Sequence, residues 1–102
     1  MANYIAEYAQ YLELERNSSD NTIASYVRDV TQFSHYLAEA EGGVELSQCT
    51  EEHIERYMSY MSSKGKSSAS VARGIASLKS FYRYLLSRGI VHVNPAKRTS
   101  PV

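Results

Sequence analysis

Between Lys64 and Arg88, apolar side chains recur at Val71, Ile75, Leu78, Tyr82 and Leu85, in steps of four, three, four and three. Such steps put all five on one stripe of an α-helix and do not fit the two-residue alternation of a strand. The opposite stripe carries Ala69, Arg73, Ala76, Ser80, Arg83 and Ser87, with Lys79 on its flank. The whole window holds six basic residues and no acidic one. Small side chains let a backbone approach a surface closely, and arginine supplies forked donors for phosphate or guanine edges. A basic helix face that simply meets water has the same spacing. A third arrangement pairs Arg73 with an acid such as Asp29 inside a bundle.

The distribution of charge favours an anionic partner. The formal net charge is zero, but the signs are segregated. Residues 1–55 hold all eleven acids and only Arg16 and Arg28, giving −9; residues 56–102 hold nine bases and no acid, giving +9. A local basic field attracts polyanions whatever the total. The neutral total argues against indiscriminate binding.

One hundred and two residues suit one domain with its own core. Cys49 is alone, which excludes an intrachain disulfide. The opening MANYIAEYAQ lacks the basic and apolar regions of a secretory signal, and no run reaches the length of a membrane span. The expectation is a cytoplasmic protein with no membrane contact. Nine tyrosines and no tryptophan suggest aromatic rings set mostly at the edge of the core, where the hydroxyl reaches water.

In chain order, Asn3 to Arg16 reads as a first helix with Ile5, Tyr8, Ala9 and Leu12 on one face. A polar break at residues 17–21 follows, with Ser19 as the N-cap of the next helix. That second helix, about residues 20–41, buries Ile23, Tyr26, Val27, Val30, Phe33 and Leu37. Its outer stripe is Asn21, Ser25, Arg28, Gln32, His35 and Glu39. Asn, Gln, Arg and His are side chains that read base edges, and also ordinary surface residues. Gly42 and Gly43 end the helix. Thr50 caps a third helix, residues 51–63, with Ile54, Tyr57, Met58 and Met61 inward and two acids in its first turn. Ser67 or Ser68 starts the basic helix, and Gly89 stops it. The Asn94-Pro95 and Ser100-Pro101 steps suggest an extended tail leading away. The domain is therefore expected at residues 1–92, with a linker at 93–102.

The runs ELERNSSDNTIASYVRDVTQFSHYL and TEEHIERYMSYMSSKGKSSASVARGIASLKSFYRYLLSRGIVHVNPA resemble the start of the tyrosine recombinases, the phage-integrase family that includes the Xer resolvases. The matching positions are Glu15, Arg16, Ser19, Asn21, Thr22, Tyr26, Asp29, Val30, Phe33 and Leu37. They resume at Thr50, Glu52, Ile54, Ser67, Ser70, Arg73, Ile75, Leu78, Lys79, Phe81, Tyr82, Leu85, Asn94, Pro95 and Ala96. The resemblance covers residues 4–96 and implies an all-α, SAM-like core-binding domain of four helices, or five.

In the family that domain is one jaw of a clamp around duplex DNA. Its second and fourth helices lie against the major groove, and full-length subunits assemble as tetramers on the recombination site. The resemblance places DNA contacts at Thr22, Arg28, Arg73 and Lys79; the stripe geometry adds Asn21, Ser25 and Arg83. Three positions depart from the family pattern. Ser18 replaces an apolar residue, His53 an acid, and Gly74 sits mid-helix beside Arg73, where it admits a phosphate closely or marks a bend.

Family chemistry uses two arginines, a lysine, a His-x-x-Arg box and a tyrosine nucleophile in a second domain. His53-Ile54-Glu55-Arg56 fits that box but opens the third helix, and Glu55 would repel phosphate. No catalytic residue, metal ligand or cofactor is therefore expected here. The chain reads as the DNA-binding part of a recombinase whose catalytic domain lies elsewhere. A different class remains open: a small helical protein-protein interaction module using its acidic and basic faces.

Overall fold

Polar residues begin every helix of the computed structural model, which describes residues 3–100. Asn3 Oδ1 accepts from the Ala6 N–H at 3.0 Å and starts α1, Tyr4–Leu14. Ser19 Oγ accepts from the Thr22 N–H at 3.2 Å and starts α2, Asp20–Ala40. The Thr50 N–H donates to His53 Nδ1 at 3.0 Å at the head of α3, Glu51–Ser63. Ser67 Oγ accepts from the Ser70 N–H at 3.2 Å and starts α4, Ser68–Ser87. Each cap satisfies a donor that the first turn leaves free, worth about 1 kcal/mol. His53 thus does what the expected acid would do, because an unprotonated imidazole nitrogen is an acceptor.

Helix ends follow the same economy of backbone groups. The first helix stops at Leu14, two residues short of the expected Arg16. Asn17 then takes a left-handed φ of 51°, and the Ser18 N–H returns to the Leu12 carbonyl at 2.9 Å. Asparagine is the non-glycine residue that tolerates this conformation best. Gly89, at φ 71°, does the same for α4, with the Ile90 N–H on the Leu85 carbonyl at 3.0 Å.

The fold is an all-α bundle of four helices, with a 3₁₀ turn at Leu46–Gln48 and no strand among the described residues. Its centre is α4, which packs on all three other helices. The buried arc of α4 is accordingly wider than the five-residue stripe: Gly74, Ser77, Phe81 and Tyr84 are buried as well. Gly74 faces α3, where an added Cβ would lie 3.3 Å from Met61 Sδ. Its place is helix–helix contact, not close approach to a phosphate.

Two aromatic groups tie the helices in pairs. Tyr8 of α1 meets Phe81 of α4 edge-on, with centroids 5.3 Å apart, and Tyr11 lies 4.7 Å from Tyr84. Phe33 and Tyr36 of α2 lie 4.9 and 5.0 Å from Tyr57 of α3. Such pairs add about 0.5–1.5 kcal/mol beyond the area they bury. The expectation that most tyrosines sit at the core edge is overturned: Tyr8, Tyr36, Tyr57, Tyr82 and Tyr84 are buried. Three of them bury the ring because the hydroxyl finds a partner inside. Tyr8 pairs with Ser80 Oγ at 2.7 Å, Tyr36 donates to Glu41, and Tyr82 donates to the Leu46 carbonyl at 2.7 Å. Burial pushes the Tyr8 phenol up to about 12 despite the Ser80 bond, which opposes the shift.

The tail does not lead away from residue 93. Asn94 Nδ2 donates to the Lys79 carbonyl at 3.1 Å, and Asn94 Oδ1 accepts from the Ala96 N–H at 3.0 Å. Val91 and Ala96 join the core and Thr99 is buried. The Asn-Pro step breaks the helix, as the sequence implies, but Asn94 then folds the chain back. Pro101, which completes the second X-Pro step of the expected linker, and Val102 lie outside the described residues.

Where α2 ends, Glu41 gathers a charged cluster. Arg56 donates to it through Nε at 2.8 Å and Nη2 at 3.0 Å, Tyr36 donates its hydroxyl, and His53 Nε2 lies 4.0 Å away. The Arg56 guanidinium and then the Tyr36 hydroxyl hold the Glu41 carboxyl well below its usual 4.5, at about 2. A depressed carboxyl contributes stability above its unfolded value and loses it as pH falls through the folded one. The stability difference between the wild type and Glu41→Gln is therefore expected to be full above about pH 4.5 and to close as pH falls toward 2. Urea unfolding of both proteins across that range checks it; a difference independent of pH would contradict the assignment.

Candidate nucleic-acid interface

The residues expected to meet DNA lie on α2 and α4, and a buried carboxylate joins the two helices. Asp29 of α2 is only 4 % exposed. Ser77 of α4 donates its hydroxyl to Asp29 Oδ2 at 2.7 Å, and Arg73 Nε lies 3.4 Å from the same oxygen. Arg28 Nε stands 3.9 Å from Oδ1. A carboxylate out of water needs such partners, since an unpaired buried charge is strongly unfavourable. Of the arrangements the sequence left open for Arg73, the pairing with Asp29 is the one present.

The pairing does not remove the guanidiniums from solvent. The Arg28 and Arg73 side chains remain 54 % and 49 % exposed, flanking one carboxylate. One net positive charge is left on the trio, and both guanidiniums stand beside the same carboxylate. Arg28 Nη2 also donates to Ser25 Oγ at 3.3 Å. Ser25, Arg28 and Arg73 are thus brought together across the two helices.

The other expected residues are placed differently. Asn21 is exposed on the first turn of α2. Thr22 is half-buried, its hydroxyl accepting from Ser19 Oγ at 2.9 Å, so part of its polar capacity serves the cap. Lys79 is half-buried with its carbonyl taken by Asn94, and Arg83 is exposed. Neither side chain makes an ion pair or side-chain hydrogen bond among the described residues. At roughly 100° per residue, Arg73 and Lys79 stand about 120° apart around α4, with Arg83 between them. They flank one exposed arc and do not form a narrow stripe. Ser80, expected on the outer stripe, is turned to Tyr8 of α1.

Residues singled out less firmly by the sequence also reach this side. Gln32 and His35 continue the exposed outer stripe of α2 past Arg28. Together with Tyr60, Lys64 and Lys66 they line a cleft of about 250 Å³. The six-base count of the window 64–88 contained both lysines, but only the packing of α3 on α2 shows which helix they accompany. The His-x-x-Arg look-alike is accounted for by the Glu41 cluster, where His53 and Arg56 both face a carboxylate. No group of three or more metal-ligating side chains occurs among the described residues.

An all-α domain of four helices is the class that the sequence resemblance implied. Residues 5–89 match the family described as phage integrase, N-terminal SAM-like domain, and the chain belongs to that family. The chain is 37 % identical over 95 residues to tyrosine recombinase XerD of Listeria monocytogenes, covering 93 % of this chain and 32 % of the relative. It is 35 % identical over 97 residues to tyrosine recombinase XerC of Chlorobaculum tepidum, covering 90 % of this chain and 29 % of the relative. A match to XerC of Anoxybacillus flavithermus is 35 % identical over 88 residues, with 86 % and 29 % covered. The chain spans about a third of the length of the curated relatives it matches, and corresponds to their N-terminal domain. No solved structure gives a significant match. No described helix is long and apolar enough to cross a membrane.

Removing the Asp29 carboxylate should show what joins the helices. Asp29→Ala leaves the fully buried Ser77 hydroxyl without its acceptor, so a loss of about 1–3 kcal/mol is expected. Arg73→Ala is expected to lower the melting temperature by less, because the buried Asp29 keeps the Ser77 hydroxyl and the nearby Arg28 guanidinium, and the Arg73 side chain is itself half exposed. Thermal unfolding of both variants checks the order; an Arg73→Ala loss equal to or above that of Asp29→Ala would contradict it.

Proposed function

We propose that this domain binds duplex DNA as the non-catalytic part of a tyrosine recombinase, presenting the outer stripe of α2 and the exposed arc of α4 to the recombination site. The observation that carries the reading is the Arg28–Asp29–Arg73 bracket, which gathers two half-exposed guanidiniums of neighbouring helices at one carboxylate. Guanidiniums gathered on one exposed face suit phosphates or guanine edges. Lys79 and Arg83, free of ion pairs among the described residues, extend the cationic arc along α4. Asn21, Thr22 and Ser25 supply polar contacts at the start of α2.

In this reading the domain performs no chemistry. Its His-x-x-Arg segment is engaged with Glu41, and the cationic pocket for a pentacoordinate phosphorus belongs to a separate domain of the intact protein. The intact protein is a cytoplasmic DNA-breaking and rejoining enzyme that assembles with other recombinase subunits, as a tetramer on DNA. The interaction-module reading draws support from a groove of about 580 Å³ at the end of α4, where Leu86 and Val93 are exposed. That groove lies beside the tail, and protein docking there is compatible with DNA on α2 and α4.

Salt dependence separates the two readings. With about four phosphates neutralised, log K for duplex DNA is expected to fall with log salt at a slope near −3.6. Lys79→Ala and Arg83→Ala should each shallow that slope by about 0.9 and weaken all sequences alike. Fluorescence anisotropy at several salt concentrations provides the measurement. Unchanged slopes in both variants would remove α4 from the interface, and salt-independent binding by the wild type would favour the interaction module.

A further inference from the structure

The cleft between α2 and the end of α3 has a composition that the DNA-facing arc does not explain. One wall carries Gln32, His35 and Glu39 from the outer stripe of α2; the other carries Tyr60, Lys64 and Lys66. Lys64 Nζ stands 5.5 Å from the centroid of the Tyr60 ring, a cation–π contact that gives the flexible lysine a preferred direction. Tyr60 is itself held, tilted against Tyr36 at 4.9 Å and stacked on Tyr57 at 6.2 Å, yet 37 % of it stays exposed. Neither lysine makes an ion pair among the described residues. A large aromatic left open beside two uncompensated cations is a surface suited to an anion attached to a flat or apolar body.

We propose that this cleft seats the sugar–phosphate backbone of one DNA strand, with Lys64 and Lys66 on the phosphates and Tyr60 against the sugar. The inference rests on the DNA-binding reading above and adds a second contact to it. Lys66 precedes the Ser67 cap of α4 directly, while Gln32 and His35 continue the stripe of Arg28, so the cleft prolongs the same face. Such a contact carries no sequence information; it fixes register, leaving Gln32 and His35 beside the bases of the adjoining step. Glu39 bounds the cleft on the opposite wall and repels the strand, which confines the phosphates to the lysine side.

The test measures duplex binding by anisotropy across salt for the wild type, the Lys64→Ala/Lys66→Ala double variant, Glu39→Gln, and the triple combination. All these positions are exposed, and unchanged melting temperatures establish that the fold is kept. The double variant is expected to shallow the slope by about 1.8, equally for cognate and scrambled duplexes. Glu39→Gln is expected to raise affinity about threefold, and that gain should vanish in the triple variant, a coupling that separate solvated charges would not show. A wild type that binds with a steep slope, together with a double variant of the same slope, overturns the seat alone. A wild type without salt-dependent binding overturns both the seat and the DNA reading. Loss of poly-glutamate binding in the double variant, with the DNA slope intact, would make the cleft a site for acidic peptide and also overturn the proposal.

Discussion

The Asp29 carboxylate is the constraint on which both the bundle and its outer face depend. It lies buried between α2 and α4, takes the Ser77 hydroxyl from below, and has an arginine on each side. An ion pair of this kind contributes little net stability compared with an apolar contact of equal volume. What it contributes is geometry. A carboxylate that must be satisfied sets the rotation of α4 against α2, its bond from Arg73 keeps that guanidinium at the seam between the helices, and Arg28 stands beside it on α2. One buried charge therefore couples packing to the proposed contact with DNA.

A second charged cluster, around Glu41, does the corresponding work for α3. Arg56, Tyr36 and His53 converge on the residue that caps α2, so the end of one helix positions the start of the next. Tyr36 and Tyr57 continue that junction into the aromatic core, and Tyr60 carries it back to the surface. The cleft beside Tyr60 is thus a consequence of how α3 is fastened. Its lysines follow from the turn that must connect α3 to α4.

Much of this was legible in the sequence because its signals are local. Asn3, Ser19, Thr50 and Ser67 begin helices for reasons visible within four residues, and the three-and-four spacing located the faces of α2, α3 and α4. The face of Arg73 was not decided by spacing, because a solvated cation, a phosphate ligand and a partner for Asp29 share one position on the helix. Only the rotation of α2 against α4 chooses among them. The tyrosines were misjudged because a hydroxyl can be satisfied inside: Ser80 and the Leu46 carbonyl are distant in sequence from the rings they serve, and Glu41 reaches Tyr36 only where α2 ends. The tail was misread for a similar reason: proline ends a helix but does not say where the chain goes next, and the Asn94 bond to the Lys79 carbonyl lies fifteen residues back. Of the expected site residues, Ser25, Arg28 and Arg73 come together, while Lys79 and Arg83 remain a separate pair along α4.

The most direct test of the central claim is to map the DNA-bound face of the domain residue by residue. In a titration of the isotope-labelled chain with a short recombination-site duplex, backbone amide shifts are expected to change along Ser25, Arg28 and Gln32 of α2 and around Arg73 and Ala76 of α4. The acidic α1, including Glu7 and Glu13, should stay unmoved. Shifts concentrated on α1 or in the Leu86–Val93 groove, with α2 and α4 silent, would contradict the assignment of the second and fourth helices to DNA.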